Sequence, residues 1–245
     1  MAFDGKRIII TGAGRGLGAA LALVLADKGA DLLLTGRSRE NLTAIAEAIG
    51  NRTGRKPALQ LLDMADPSAV TLFAKALRDE GRPLDILINN AAQWLPGRMT
   101  DHDALAISQT IAANVTGTML LTRGLVPLLE KSGAGDIMTV VSISGLPNTR
   151  LQTASVAYAA SKHAQAAISD GLRQELKGRP VRVQAVFPPY IQDLSPLDPS
   201  WAAPREATSS VTNRDIVETI LFALARPRHV TLASIIIDPD TGGLH

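Results

Sequence analysis

Seven short apolar runs recur along the chain, at residues 7–11, 31–35, 58–62, 84–88, 137–141, 181–187 and 233–237, with a longer stretch between each run and the next. Most runs are apolar on both faces, as strands of a sheet covered on both sides must be. The stretches between them read as helices. Leu17, Leu21, Val24 and Leu25 follow the i, i+4, i+7, i+8 spacing of one helix face. Pro67 stands where a helix opens on a residue whose missing N–H costs little. Residues 103–131 and 156–177 read as two long helices, and residues 215–225 as a last one. The alternation predicts an α/β chain: one domain over residues 1–245, with a doubly wound, parallel, seven-stranded sheet and helices on both faces. The irregular stretch 188–212 carries Pro188, Pro189, Pro196, Pro199 and Pro204. It follows a strand end, where such sheets bind ligands, so it is expected to be a substrate lid.

Composition removes several function classes. No run of about 18 apolar residues occurs, so no membrane span is expected. The first residues lack the basic-then-apolar order of a secretory leader. Without cysteine there is no disulfide or thiolate chemistry, and with no leader a cytoplasmic location is expected. The net charge of +2 is spread along a chain with only 3% aromatics, which argues against a nucleic-acid surface. His102, His163, His229 and His245 show no metal-ligand spacing, so no metal is expected.

Between the first run and the first helix lies Thr11-Gly12-Ala13-Gly14-Arg15-Gly16-Leu17-Gly18. Glycines let a phosphate approach backbone N–H groups closely, and the helix N-terminus behind them favours an anion. At this place in the fold, the loop predicts a dinucleotide site; the nucleotide of a methyl donor is the rival. No Gly-Lys-Ser/Thr follows, so it is not a P-loop. A ribose with free hydroxyls is usually held by an acid about 20 residues further on. Here the second run ends Thr35-Gly36-Arg37-Ser38-Arg39, without one. Arg37, with Arg15, is placed to pair with a 2′-phosphate. NADP(H) is therefore the expected cofactor and NAD(H) the second choice, and the missing acid counts against a methyltransferase.

Tyr158 and Lys162 stand four residues apart in a predicted helix, so a phenol and an ammonium share one face. A free phenol has a pKa near 10, and a nearby ammonium is expected to lower it.

Taken in order, these motifs resemble the short-chain dehydrogenase/reductase family, which has a Rossmann fold, over nearly the whole chain. Gly12, Gly16 and Gly18 match its three glycines, and Asp63 follows the third strand, where the family holds adenine. Asn89-Asn90-Ala91-Ala92 is similar to its Asn-Asn-Ala-Gly turn. Asn114, Ser142, Tyr158 and Lys162 match its catalytic set, with Ser144 as the runner-up serine. The resemblance implies that Tyr158 exchanges a proton with the substrate oxygen and that Ser142 orients that oxygen. It further implies that Lys162 binds the nicotinamide ribose and that Asn114 holds a water linking Lys162 to solvent. It places Gly12, Gly14, Arg15, Gly16, Leu17, Gly18, Arg37, Ser38, Asp63, Met64, Asn90, Ala91, Ala92, Tyr158, Lys162, Pro188 and Ile191 against the cofactor. Ser142, Ser144, Trp94 and Tyr190 fall on the substrate side; Leu95, Leu146 and Trp201 are further candidates for an apolar wall. In the family such long helices pair between subunits, so the resemblance also implies a homodimer or homotetramer.

The chain departs from the pattern at Ala92, at Pro189 and at Asp193, where a cofactor-contacting threonine is common. The interval from Ser142 to Tyr158 is about three residues long of the usual, and the segment Ile235–His245 lacks the usual Val-Asp-Gly-Gly. The expected function is an NADP(H)-dependent oxidoreductase interconverting a small-molecule carbonyl and a secondary alcohol. The alternative is a non-catalytic dinucleotide sensor or scaffold.

Overall fold

The computed structural model describes residues 2–206 and 209–239. Its seven strands are β1 (Arg7–Ile10), β2 (Asp31–Gly36), β3 (Ala58–Leu61), β4 (Ile86–Asn89), β5 (Gly135–Val140), β6 (Val181–Phe187) and β7 (Ser234–Ile236). They form one sheet in the order β3-β2-β1-β4-β5-β6-β7, and every pairing is parallel. The helices are α1 (Gly16–Asp27), α2 (Arg39–Thr53), α3 (Pro67–Glu80), α4 (Ala104–Ile111), α5 (Thr118–Lys131), α6 (Val156–Glu175) and α7 (Asn213–Leu224). The two faces of the sheet feed separate cores. Ile8 and Ile10 pack with residues of α1 and α7, while Ile9 packs with residues of α3 and α5. Each core excludes water from one side, which is why the central runs have no polar face.

The expected doubly wound sheet is present, with two differences in detail. β3 is an edge strand exposed along its whole length, so it is not covered on both faces. The helix expected over 103–131 is interrupted by a π-helical turn at Ala112–Gly117. A Cβ on Gly117 would lie 2.1 Å from the Met64 carbonyl oxygen, so glycine lets this turn press against the loop after β3. The combined helix Ala104–Lys131, 28 residues, is long and apolar enough by length and composition to cross a membrane, although no unbroken apolar run marks it in the sequence. Its apolar side has a partner within the protein: Leu121, Leu125, Leu128 and Leu129 are buried in the core beneath β4 and β5.

The strand order reverses between β1 and β4, which opens a crevice at the carboxyl ends of those strands. In the 188–212 segment, Gln192 N–H donates to the Val211 carbonyl at 2.9 Å, so both ends of the loop return to one place. Ala207 and Thr208 lie outside the described residues, as do Met1 and residues 240–245.

Candidate functional site

At the switch point lies a cleft of about 600 Å³, a size that suits a cofactor. The glycine loop forms its floor. A Cβ on Gly18 would fall 2.2 Å from the Gly12 carbonyl oxygen and 2.5 Å from Asn90 Nδ2, so the turn closes only around glycine. Thr11 and Asn90 fix the loop from β4. The Thr11 hydroxyl accepts from the N–H groups of Asn90 (3.0 Å) and Ala91 (2.9 Å). Asn90 Nδ2 in turn donates to the carbonyls of Thr11 (2.9 Å) and Gly12 (3.2 Å). Asn90 thus lines the cleft while its amide is spent on the loop itself.

Arg15, Arg37, Ser38, Asp63 and Met64, all expected against the cofactor, line the outer part of the cleft. Ser38 also caps α2, its hydroxyl accepting from Asn41 N–H at 3.2 Å, and Asp63 accepts from Ala65 N–H at 2.9 Å within its own turn. Among the described residues, neither Arg15 nor Arg37 is paired with a carboxylate, so both guanidinium groups are available to an anion. Gly14, Gly16, Leu17, Ala91 and Ala92 complete the expected wall.

Beyond the inner end of the cleft stands the phenol–ammonium pair. Ser155 caps α6, accepting from Tyr158 N–H at 3.2 Å, and so sets where the phenol leaves the helix. Tyr158 and Lys162 are both buried, with Lys162 Nζ 5.6 Å from the Tyr158 ring centroid. Nζ donates to the Val140 carbonyl (3.1 Å) and to Gln165 Oε1 (2.8 Å). Burial pushes the lysine down to about 7. It pushes the phenol up to about 12, and a hydrogen bond with Ser142 only partly opposes this. Burial thus moves the phenol opposite to the expected acidification: desolvation is the largest cause, and Lys162, itself drawn down to about 7, carries no charge at the pH where the phenol titrates. Ser142 rather than Ser144 reaches the phenol; it caps a short 3-10 turn, Ile143–Gly145, and accepts from Ser144 N–H at 3.1 Å.

Asn114 sits in the π-helical turn and ties the two ends of the site together. Its Oδ1 accepts from Gln93 N–H at 2.7 Å. Its Nδ2 donates to the Gln93 carbonyl (3.1 Å) and to Ser161 Oγ (2.9 Å). Its main-chain carbonyl accepts from Gln165 Nε2 at 2.7 Å. The side chain therefore clamps the loop after β4, and a protein amide joins the two groups that the resemblance links through water.

Among the residues expected to face substrate, Trp94 meets Tyr158 edge-on, with ring centroids 4.5 Å apart. Leu95, Ala154 and Ala157 pack around the same tyrosine. An antiparallel bridge between Pro96 and Ala154 joins the loops after β4 and β5. Tyr190 points outward, 86% exposed, Leu146 packs with Val141 and Phe187, and Trp201 packs against the α1–α7 core. Neither Pro188 nor Ile191 belongs to the cleft wall; Pro188 instead accepts from Ile143 N–H, and Ile191 leans on the core. Asp193 does line the wall, 3.4 Å from where a Cβ on Gly16 would be.

The sequence did not mark Gly36, Asn41, Leu62, Gln93 and Ala113 as wall residues, nor Gln165 at all. Only Gln165 had a legible signal, since it stands three residues after Lys162 on the same helix face. No group of three or more metal-ligating side chains occurs among the described residues.

Comparison with known proteins agrees with this geometry. Residues 6–203 match the short chain dehydrogenase family profile. An oxidoreductase of Staphylococcus saprophyticus is 30% identical over 234 residues, with 96% of this chain and 97% of the relative covered. A metagenomic short-chain oxidoreductase in complex with NADP superposes with a TM-score of 0.79 at 26% identity, covering 98% of this chain and 99% of its own. A short chain dehydrogenase of Escherichia coli CFT073 complexed with NADPH gives a TM-score of 0.80 at 28% identity, covering 96% and 97%.

Proposed function

The chain belongs to the short chain dehydrogenase family, and from that premise we propose that it is an NADP(H)-dependent oxidoreductase interconverting a carbonyl and a secondary alcohol. One observation carries the reading: a buried phenol, next to Ser142 and flanked by Lys162, stands beyond the inner end of a cleft whose outer end presents two guanidinium groups with no carboxylate partner among the described residues. The residues fit the cofactor. The glycine floor and the start of α1 suit a pyrophosphate, and Arg15 and Arg37 suit a 2′-phosphate. NADP(H) bound in related proteins supports the same choice. NADH, lacking that phosphate, is expected to bind more weakly.

When bound, the cofactor supplies or takes the hydride; this chain's residues handle the proton. With its pKa near 12, Tyr158 holds its proton at neutral pH and is set to donate it to the oxygen of a carbonyl under reduction. Ser142 shares that oxygen and orients it. Trp94 and Leu95 exclude water from one side of the phenol. The 188–212 segment serves as the lid of a single-domain enzyme. The outward face of the long helix, with Leu105, Ile111 and Met119 exposed, suits pairing with a second subunit; a monomeric mass by light scattering would contradict it.

The test is a screen of ketones, sugars, steroids and acyl thioesters with NADPH, followed by Tyr158→Phe. The variant is expected to bind NADPH normally and to lose turnover by about 10²- to 10⁴-fold. Retained turnover would remove Tyr158 from the mechanism. Tight NADPH binding with no turnover of any carbonyl would favour the sensor reading.

A further inference from the structure

Gln165 is an amide side chain in a place where an apolar residue would bury at less cost. It is 1% exposed on α6, and both ends of its side chain are committed. Oε1 accepts from Lys162 Nζ at 2.8 Å, and Nε2 donates to the Asn114 carbonyl at 2.7 Å. Only this orientation satisfies both neighbours: an ammonium has nothing but donors and a carbonyl nothing but acceptors. A buried polar side chain satisfied at both ends fixes its partners in place, and losing one end leaves a buried group unpaired. Gln165 therefore connects the lysine to the π-helical turn that also clamps the loop after β4 through Asn114.

We infer that Gln165 is a positioning residue: it ties the Lys162 ammonium to the Asn114 backbone and thereby sets the pH range over which Lys162 is charged beside Tyr158. The inference rests on the proposed oxidoreductase reading for its kinetic consequence, but not for the tie itself. Lys162 is held on three sides. α6 contributes Tyr158 and Gln165, β5 contributes the Val140 carbonyl, and the helix carrying Asn114 lies behind Gln165. The Tyr158 phenol is the ionisable side chain that meets Lys162; among the described residues no carboxylate pairs with it. Burial alone therefore draws its pKa down, and the Gln165 and Val140 oxygens are the polar groups left to favour the charged form. An amide oxygen is a weak proton acceptor, so Gln165 holds the ammonium without taking its proton.

If charged Lys162 supports the reduction, kcat/KM falls as pH rises through the lysine's midpoint. Gln165→Glu places an anion of the same shape against Nζ and should raise that midpoint by a unit or more. Gln165→Leu removes an acceptor and should lower it by half a unit or more. The midpoint can be followed in unliganded protein by NMR of carbon-13 at lysine Cε. Seven lysines give few signals, and Lys162→Met identifies the one that matters.

The expected result is that the NMR midpoint and the alkaline limb of the kcat/KM profile move together, upward in Gln165→Glu and downward in Gln165→Leu. An NMR midpoint unchanged in Gln165→Glu would overturn the tie. A midpoint that moves while the kinetic limb stays would overturn the functional role. Gln165→Glu keeps the shape of the side chain and so decides the matter should the leucine variant not fold. Tyr158→Phe separates the two levels: if it keeps turnover, the proposed mechanism fails while the NMR result still judges Gln165.

Discussion

The outer and inner ends of the site are built by different means. The outer end is mainly backbone: a glycine turn, the start of α1 and the carbonyls gripped by Asn90, with Arg15 and Arg37 at the rim, where no described carboxylate pairs with them. The inner end is a closed side-chain network running from Ser142 and Tyr158 through Lys162 and Gln165 to Asn114 and Gln93. The first end has no room for a side chain at Gly12 or Gly18 but pays little for its charges, which face solvent. The second buries a cation and a phenol, and its chemistry depends on which desolvated group finds a partner. Geometry therefore limits one end and protonation limits the other.

The harshest way to break this contrast is at the turn. In Gly18→Val the new Cβ would overlap the Gly12 carbonyl oxygen, 2.2 Å away. NADPH affinity, read by fluorescence titration, should fall at least about a hundredfold, the scale expected when a preorganised site loses its geometry. Tyr158 should still titrate as in the parent. Near-normal affinity would mean that the backbone does not limit the outer end.

Lys162→Met probes the inner end through stability. Below about pH 7 the ammonium is charged in both the folded and the unfolded chain, so the full cost of its burial is present. As pH rises from about 7 toward the ordinary lysine value of 10.5, the folded chain carries the neutral amine while the unfolded chain stays protonated, so the parent gains stability. The variant lacks this gain. Urea unfolding at 25 °C should show the difference, variant minus parent, falling by about 4 kcal/mol between pH 6 and pH 10. The raised phenol of Tyr158 begins to act only above that window, and with the opposite sign. A difference independent of pH would show that Lys162 is not held at a desolvation cost.

At the rim, Arg37→Ala should lower the preference for NADPH over NADH by roughly ten- to a hundredfold, the worth of a charge-assisted bond to a phosphate. Equal loss for both cofactors would mean that Arg37 does not read the 2′-phosphate.

The same contrast governs what was legible in the sequence. Gly12, Gly16 and Gly18, the run lengths and Arg37 report on backbone and on position along a strand, and both are local. The doubly wound sheet and the outer wall follow from them, apart from edge residues such as Asn41 that reach the cleft across a helix start. The inner end depends on pairs far apart in the chain. Asn114 meets Gln93 and Gln165 only because a π-helical turn rotates it there, and no periodicity announces that turn. The sign of the phenol's shift was equally hidden. The four-residue spacing of Tyr158 and Lys162 implied acidification, but it carries no information on burial, which dominates. Trp201 shows the converse error. It lies in the right loop yet spends its ring on the core.

The smallest effect is expected at Asp193, where the two regimes meet. Its carboxylate is a charge placed at the glycine floor, over Gly16, where a pyrophosphate would bring more negative charge. Asn213 Nδ2 holds it at 3.1 Å, and Asn213 is itself buried at the start of α7, so the carboxylate is anchored rather than free to swing away. Because Asp193 is exposed, solvent screens the repulsion to about 1 kcal/mol. Asp193→Asn keeps the shape and removes the charge. It should tighten NADPH binding about fivefold at low salt, and the gain should shrink as salt is raised past about 0.15 M, where screening acts within about 8 Å. Both NADPH and NADH should gain, since both carry the pyrophosphate; a gain for NADPH alone would move the interaction to the 2′-phosphate and away from the floor. Weaker binding by the variant would mean that the carboxylate accepts a hydrogen bond from the cofactor, and that the floor of the outer end, like the inner network, is governed by a specific partner rather than by space and field.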